Sequence, residues 1–210
     1  MSHLYIALAR VYQRSFASHP YGTLAFTNGV FNALGDAVAQ VTEIVTGPQN
    51  HQGGGQQQYD PLRTLRFFAF GFGMGPLIGR WNFVLERHFP LRFHGGNSAK
   101  VSVPALAKRV AADQIMMAPL GLAIFIGSMG IMEGRDAKHI SQKYSDLLMP
   151  LLITNWQVWP IAQLINFRFM PLPYRVPFQS GCGVFWTLYL SLLNSKESQM
   201  QNQADAMRET

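Results

Sequence analysis

Asp36, Gln40 and Glu43 stand at i, i+4 and i+7 in an otherwise apolar stretch, so a helix there carries all three on one face. Carboxylates and amides so arranged either hydrogen-bond a neighbouring helix or line a hydrated path that favours cations. Asp113 and Gln114 form a second polar pair, at the head of the uncharged run that ends at Met132. Asn155, Gln157, Gln163 and Asn166, closed by Arg168, form a third. Arg80 interrupts another apolar segment and is the obvious partner for one of the acids.

No constellation suited to catalysis accompanies them. There is no HExxH, and neither Ser128 nor Ser191 has a histidine nearby in the chain. The six histidines (His3, His19, His51, His88, His94, His139) lack metal-ligand spacing, and the single cysteine, Cys182, allows no intrachain disulfide. The expectation is therefore a non-enzyme with no cofactor and no metal site. Gly71, Gly73 and Gly75 do not make a nucleotide loop, because no strand precedes them, the spacing is not GxGxxG and Pro76 follows directly. They read instead as the thin side of a helix, with small-xxx-small spacing at Gly71, Gly75 and Gly79.

The elements that hold these residues are long and apolar. Gln114–Met132, Leu147–Phe167 and Val176–Ser195 are uncharged over 19, 21 and 20 residues, close to the ~20 needed to cross a ~30 Å hydrocarbon core. Tyr21–Val45 is apolar except for Asp36 and Glu43, and Leu65–Phe89 contains the uncharged run Phe67–Gly79. The fold class expected is all-α: a single membrane helical bundle over 1–195 with four to five membrane-embedded helices, and a polar tail over 196–210. Leu4, Ala7, Leu8, Val11 and Tyr12 at helical spacing predict an N-terminal amphipathic helix. Its Arg10 and Arg14, with no acid nearby, suit either mitochondrial import or an interfacial anchor. Gly47–Asp60 reads as a flexible loop, His94–Ser98 as a glycine-rich break, and Pro171–Pro177 as a forced turn. Pro119 and Pro160 should kink the spans that contain them.

Charge is sparse and placed between the apolar runs. Only 13% of residues are charged, the net charge is +6, and the mean hydropathy is +0.05. Residues 80–109 carry six positive charges against one acid, whereas 46–66 and 133–146 are close to balanced. That asymmetry fits membrane topology and excludes a nucleic-acid partner, which would need a basic patch interleaved with aromatics.

In order along the chain, these residues resemble a family of small four-span proteins, the Sym-type mitochondrial inner-membrane and peroxisomal membrane protein two family. Tyr12 with His19-Pro20, Gly35-Asp36 with Gln40, Gly75-Pro76 with Trp81, and Asp113-Gln114 with Ala118-Pro119 are similar to its motifs. So are Trp156-Gln157-Val158-Trp159-Pro160, then Gln163, Asn166-Phe167, Pro171 and Arg175, and finally Trp186 with Tyr189-Leu190-Ser191. Asn82 and Met170 depart mildly from the pattern. The resemblance implies a weakly selective channel for small solutes, tied to mitochondrial metabolite balance, mitochondrial DNA maintenance and stress, with a peroxisomal channel as the other branch. Its partners would be the lipid bilayer, small-molecule solutes and, as an open option, further copies of the chain. A non-conducting scaffold, in which the polar residues only tie helices together, is the rival reading.

Overall fold

The computed structural model describes residues 2–46, 58–91 and 102–189, and these are helical nearly throughout, with no strand. Helix α1 (Ser2–Ser18) runs almost directly into α2 (Pro20–Thr46), joined by backbone bonds from His19 to Ser15 and from Thr23 to His19. Helix α3 (Pro61–His88) starts where Asp60 caps the amides of Leu62 and Arg63 and Pro61 takes the first turn, the position that has no amide bond to lose. Helix α4 (Val103–Ala112), capped by Ser102, continues through a π-helical turn at Asp113–Met117 into α5 (Ala118–Met132). Gly134, at φ 71°, then allows the sharp reversal into α6 (Ala137–Phe169), whose first amides are capped by Asp136. A further helix, α7, covers 172–189.

Two sequence expectations change shape here. The turn expected over Pro171–Pro177 shrinks to Met170 and Pro171, because helix resumes at residue 172. Pro173 falls in the first turn, where a missing amide costs nothing. The span expected to begin at Gln114 begins at Val103, since the π turn links the two helices without breaking the rod. Residues 47–57 of the expected loop, the 94–98 break and the 196–210 tail lie outside the described residues.

Burial is inverted relative to a water-soluble bundle. Asn28, Asp36, Gln40, Asn82, Arg109, Asp113, Gln114, Gln163, Asn166 and Arg175 are buried, while Phe26, Phe72, Ile115, Ile131, Ile161 and Phe185 are exposed. Val103–Met132 is the one described helix apolar and long enough by strict composition to cross a membrane, and only 22% of its most apolar window is buried. A polar interior beneath an apolar exterior is what hydrocarbon solvent selects, since lipid solvates leucine and phenylalanine but not amides or carboxylates.

Helices α2 and α3 pack most intimately. A Cβ at Gly71 would lie 2.7 Å from Asn28 O, one at Gly75 would run into the Leu24 backbone, and one at Gly79 into the Leu24 side chain. Gly73 faces open space, so it does not belong to this stripe.

Candidate functional site

Three polar networks and one knot join the helices. At one end of the bundle, Asp36, its side chain fully buried, receives Gln40 Nε2 and Thr64 Oγ1 at 2.7 Å each on Oδ2 and faces Arg63 Nε at 2.8 Å on Oδ1. Arg63 also reaches Glu43 Oε2 through Nη1 at 3.0 Å. Gln40 closes the junction by donating to Asp60 O and accepting from Asp60 N. The face read from Asp36, Gln40 and Glu43 is thus met by the N-terminal turn of α3. The cation opposite the acids is Arg63; Arg80 is exposed and makes no ion pair among the described residues.

In the middle, Asp113 lies on the π turn and has no cation partner among the described residues. Its Oδ1 accepts from Trp81 Nε1 at 3.0 Å, and its Oδ2 accepts from Gln163 Nε2 at 2.8 Å and Gln114 Nε2 at 3.0 Å. Gln163 Oε1 in turn accepts from Asn166 Nδ2, which also reaches Arg175 O. Pairs read separately along the chain, Asp113-Gln114 and Gln163-Asn166, therefore form one network with Trp81.

Pro119, just beyond the π turn, leaves one of its carbonyls open. Ala118 N–H bonds to Asp113 O, five residues back. In that wide register the next donor would be residue 119, and proline has no N–H to give. The carbonyl of Gln114 is left over, and Trp156 Nε1 fills it at 3.0 Å.

At the opposite end of the bundle, Glu86 at the end of α3 meets Arg109 of α4 and Arg175 of α7. Arg109, counted in the sequence as part of a positive connecting region, is completely buried. The N-terminal helix reaches this end as well: Tyr12 Oη donates to Pro173 O at 2.5 Å, and Gln13 Nε2 to Tyr174 Oη at 2.7 Å. Desolvation, reinforced by the nearby Tyr174, pushes the Tyr12 phenol up to about 12. The knot is Asn28, which donates to Gly71 O and accepts from Ser180 Oγ, tying α2 to α3 and α7.

Arg63, Glu86, Asn28, Arg109 and Ser180 escaped the reading of the sequence. Arg63, Glu86 and Arg109 flank the apolar runs rather than interrupt them, and a lone Asn or Ser in an apolar run carries no periodic signal. Asn155, Gln114, Asn82, Asn166 and Gln179 each hold a buried side-chain oxygen with no hydrogen-bond partner among the described residues. Gln157, Arg168, Trp156 and Val158 are exposed, whereas Trp159, Pro160 and Trp186 are half-buried. Gly35 packs against Val184 and Thr187 of α7. Among the described residues, no group of three or more His, Cys, Asp or Glu side chains gathers to hold a metal.

A half-open cleft of about 260 Å³ lies between α3, α5 and α6 at the Asp36 end. Arg63, Arg66, Lys143 and Glu133 form its polar lining, and Phe67, Phe125, Ile126 and Leu147 contribute apolar wall. Burial acts to raise the Glu133 carboxyl, but the hydrogen bond from Lys143 and the charges of Lys143 and Arg135 outweigh it and hold it below the ordinary value.

A model of the Mpv17 / PMP22 family matches residues 130–191. Protein SYM1 of Eremothecium gossypii is 35% identical over 90% of this chain and 97% of its own. Protein SYM1 of Saccharomyces cerevisiae is 34% identical over 90% of this chain and 91% of its own. The mitochondrial inner membrane protein Mpv17 of Homo sapiens is 35% identical over 89% of this chain and 97% of its own. No solved structure matches.

Proposed function

The chain belongs to the Mpv17 / PMP22 family and is a protein of the mitochondrial inner membrane, and from that premise we propose that it forms a weakly selective channel for small solutes. The observation that carries the proposal is the set of buried oxygens without partners: Asn82 Oδ1, Gln114 Oε1, Asn155 Oδ1, Asn166 Oδ1 and Gln179 Oε1. An unpaired buried acceptor costs about 1–3 kcal/mol, and a mobile water or a passing polar solute removes that cost. Five such acceptors on α3, the π turn, α6 and α7 favour an interior that water enters. The cleft between α3, α5 and α6 is the mouth in this reading, and the lining is uncommitted amides rather than the charge-paired Asp36. Weak selectivity fits this lining, because the oxygens are scattered over four elements and form no ordered ring of carbonyls or charges of the kind that selects one ion.

No catalytic role is proposed; the residues carry solute rather than transform it. Within the cell, the same reading connects the chain to metabolite balance, mitochondrial DNA maintenance and the response to stress.

Purified protein in planar bilayers tests the proposal. Step conductance above protein-free controls is the expected result, and Asn155→Leu should lower it without loss of folded protein. A bilayer indistinguishable from the control would remove the channel.

The scaffold reading draws on a different observation, the mutual pairing of Asp36, Gln40, Thr64 and Arg63 across α2 and α3. If the polar groups serve only to tie helices, Asp36→Asn changes yield or oligomer size and leaves permeability unchanged. The channel proposed above is lined by amides and not by this face, so it is Asn155→Leu that separates the two readings: lowered conductance with folded yield preserved favours the channel, and unchanged permeability favours the scaffold.

A further inference from the structure

Two arginines and one glutamate at the α3–α4–α7 end of the bundle do not match in number. Arg109 is fully buried and Arg175 is 4% exposed, yet both address the same oxygen, Glu86 Oε2, at 3.3 Å and 2.5 Å. One further donor from each goes to a backbone carbonyl: Arg109 Nε to Phe89 O at 2.7 Å, and Arg175 Nε to Met170 O at 3.2 Å. Among the described residues, Arg109 Nη2 makes no hydrogen bond, and Arg175 Nη1, though it touches Glu86, is not aligned for one. Their surroundings are dry, with Leu85, Leu106 and Phe167 forming a buried cluster and the Arg175 guanidinium 5.7 Å from the Phe167 ring centroid. Glu86, by contrast, is nearly half exposed.

A buried guanidinium is costly unless its fork is filled by an anion. A single carboxylate oxygen shared by two forks fills neither, and both guanidiniums hold a donor in reserve. Glu86 is the only acid among the described residues 80–91 and 102–112, whereas Arg80, Arg87 and Lys108 stand exposed in the same segments. The local field therefore attracts anions toward a carboxylate that is free to swing outward.

We propose that Glu86 is the displaceable occupant of a two-arginine oxyanion site, and that the site takes a phosphate-type group. Such a group offers three terminal oxygens, enough to engage the Arg109 and Arg175 forks together, where the carboxylate offers one oxygen to both. When the phosphate enters, Glu86 turns to solvent and no bond is made or broken. The site stands independently of the channel reading, because it concerns binding at one end of the bundle and not conduction through it.

Inorganic phosphate is the soluble probe, and phosphatidate in phosphatidylcholine vesicles is the lipid probe. Thermal unfolding of the full chain is followed against phosphate in detergent, at constant ionic strength set with chloride. In parallel, the reconstituted protein is compared with and without phosphatidate. Phosphate should raise the midpoint saturably, and Glu86→Gln should lower the half-saturating concentration by about tenfold by removing the competitor. Glu86→Gln combined with Arg109→Met, which removes the buried charge along with its counter-ion, should abolish the response. Should Glu86→Gln not fold, Glu86→Asp shortens the competing side chain and must shift half-saturation in the same direction. A response to inorganic phosphate supports a soluble ligand, and a response to phosphatidate alone supports a headgroup. No response to either overturns the proposal, as does equal half-saturation in native and Glu86 variants or a response that survives in the double variant.

Discussion

Trp156 Nε1 lies 3.0 Å from the carbonyl oxygen of Gln114, and that single bond repairs the backbone ladder where the π turn and Pro119 together leave it open. The aromatic ring is half outside the bundle, so its polar edge, not its bulk, accounts for its position. Trp156→Phe keeps the ring and removes the donor, and should cost about 1–3 kcal/mol for the carbonyl left unpaired. Pro119→Ala restores an N–H at residue 119 that can reach Gln114 O in the π register. The double variant should therefore lose less stability than the two single variants together, measured as thermal midpoints in detergent; strict additivity would refute the coupling.

Among the described residues, Arg63 is the one counter-charge that bridges Asp36 and Glu43. Arg63→Gln strands a buried carboxylate, and breaking such a pair costs roughly 3–5 kcal/mol when both partners are buried. Because the Arg63 side chain is 37% exposed, water takes up part of the loss and the cost should fall at or below the lower end of that range. Arg63→Lys should recover only part, since an ammonium cannot reach both carboxylates in a planar fork. Monodisperse yield on fluorescence-detected size exclusion orders the variants: native, then Lys, then Gln.

Gly73 and Gly75 lie two residues apart on α3 and should respond oppositely to the same change. Gly75→Ala forces the Leu24 backbone away and should destabilise by about 1–3 kcal/mol through overpacking. Gly73→Ala meets nothing within 4 Å and should be neutral or stabilising by up to ~1 kcal/mol through helix propensity. Unfolding midpoints of the two variants, measured side by side, check the assignment of faces.

The Glu133 carboxyl titrates below its ordinary 4.5 because Lys143 and Arg135 favour its charged form. A depressed folded value means that the contribution is complete above the unfolded pKa and is lost as pH falls through the folded one. Amides at the α5–α6 turn should thus exchange faster, relative to intrinsic rates, as the pH drops below 4.5. Glu133→Gln should flatten that dependence.

The helical, inside-out character of the chain was legible from the sequence because apolar runs and the i, i+4, i+7 spacing of Asp36, Gln40 and Glu43 are local signals. Which groups meet across helices was not. Asp113 and Gln163 are fifty positions apart, and nothing in either neighbourhood names the other. Arg109 misleads for a physical reason: a cation in a segment rich in cations reads as solvent-exposed, and only the approach of the Phe89 carbonyl and Glu86 makes its burial tolerable. The π turn was half visible, since Pro119 announced an irregularity but not whether the rod would bend or widen.

The bridge from Arg63 to Asp36 and Glu43 also constrains how the chain is made. Alone in hydrocarbon, α2 would expose two carboxylates, and their place at one end of the bundle puts the cost below the ~2.5–3.5 kcal/mol of a charge at the helix centre without removing it. Its counter-ion belongs to the helix synthesised next. The first turn of α3 thus supplies the charge that α2 lacks, which favours entry of the two helices into lipid as a pair over entry of α2 alone.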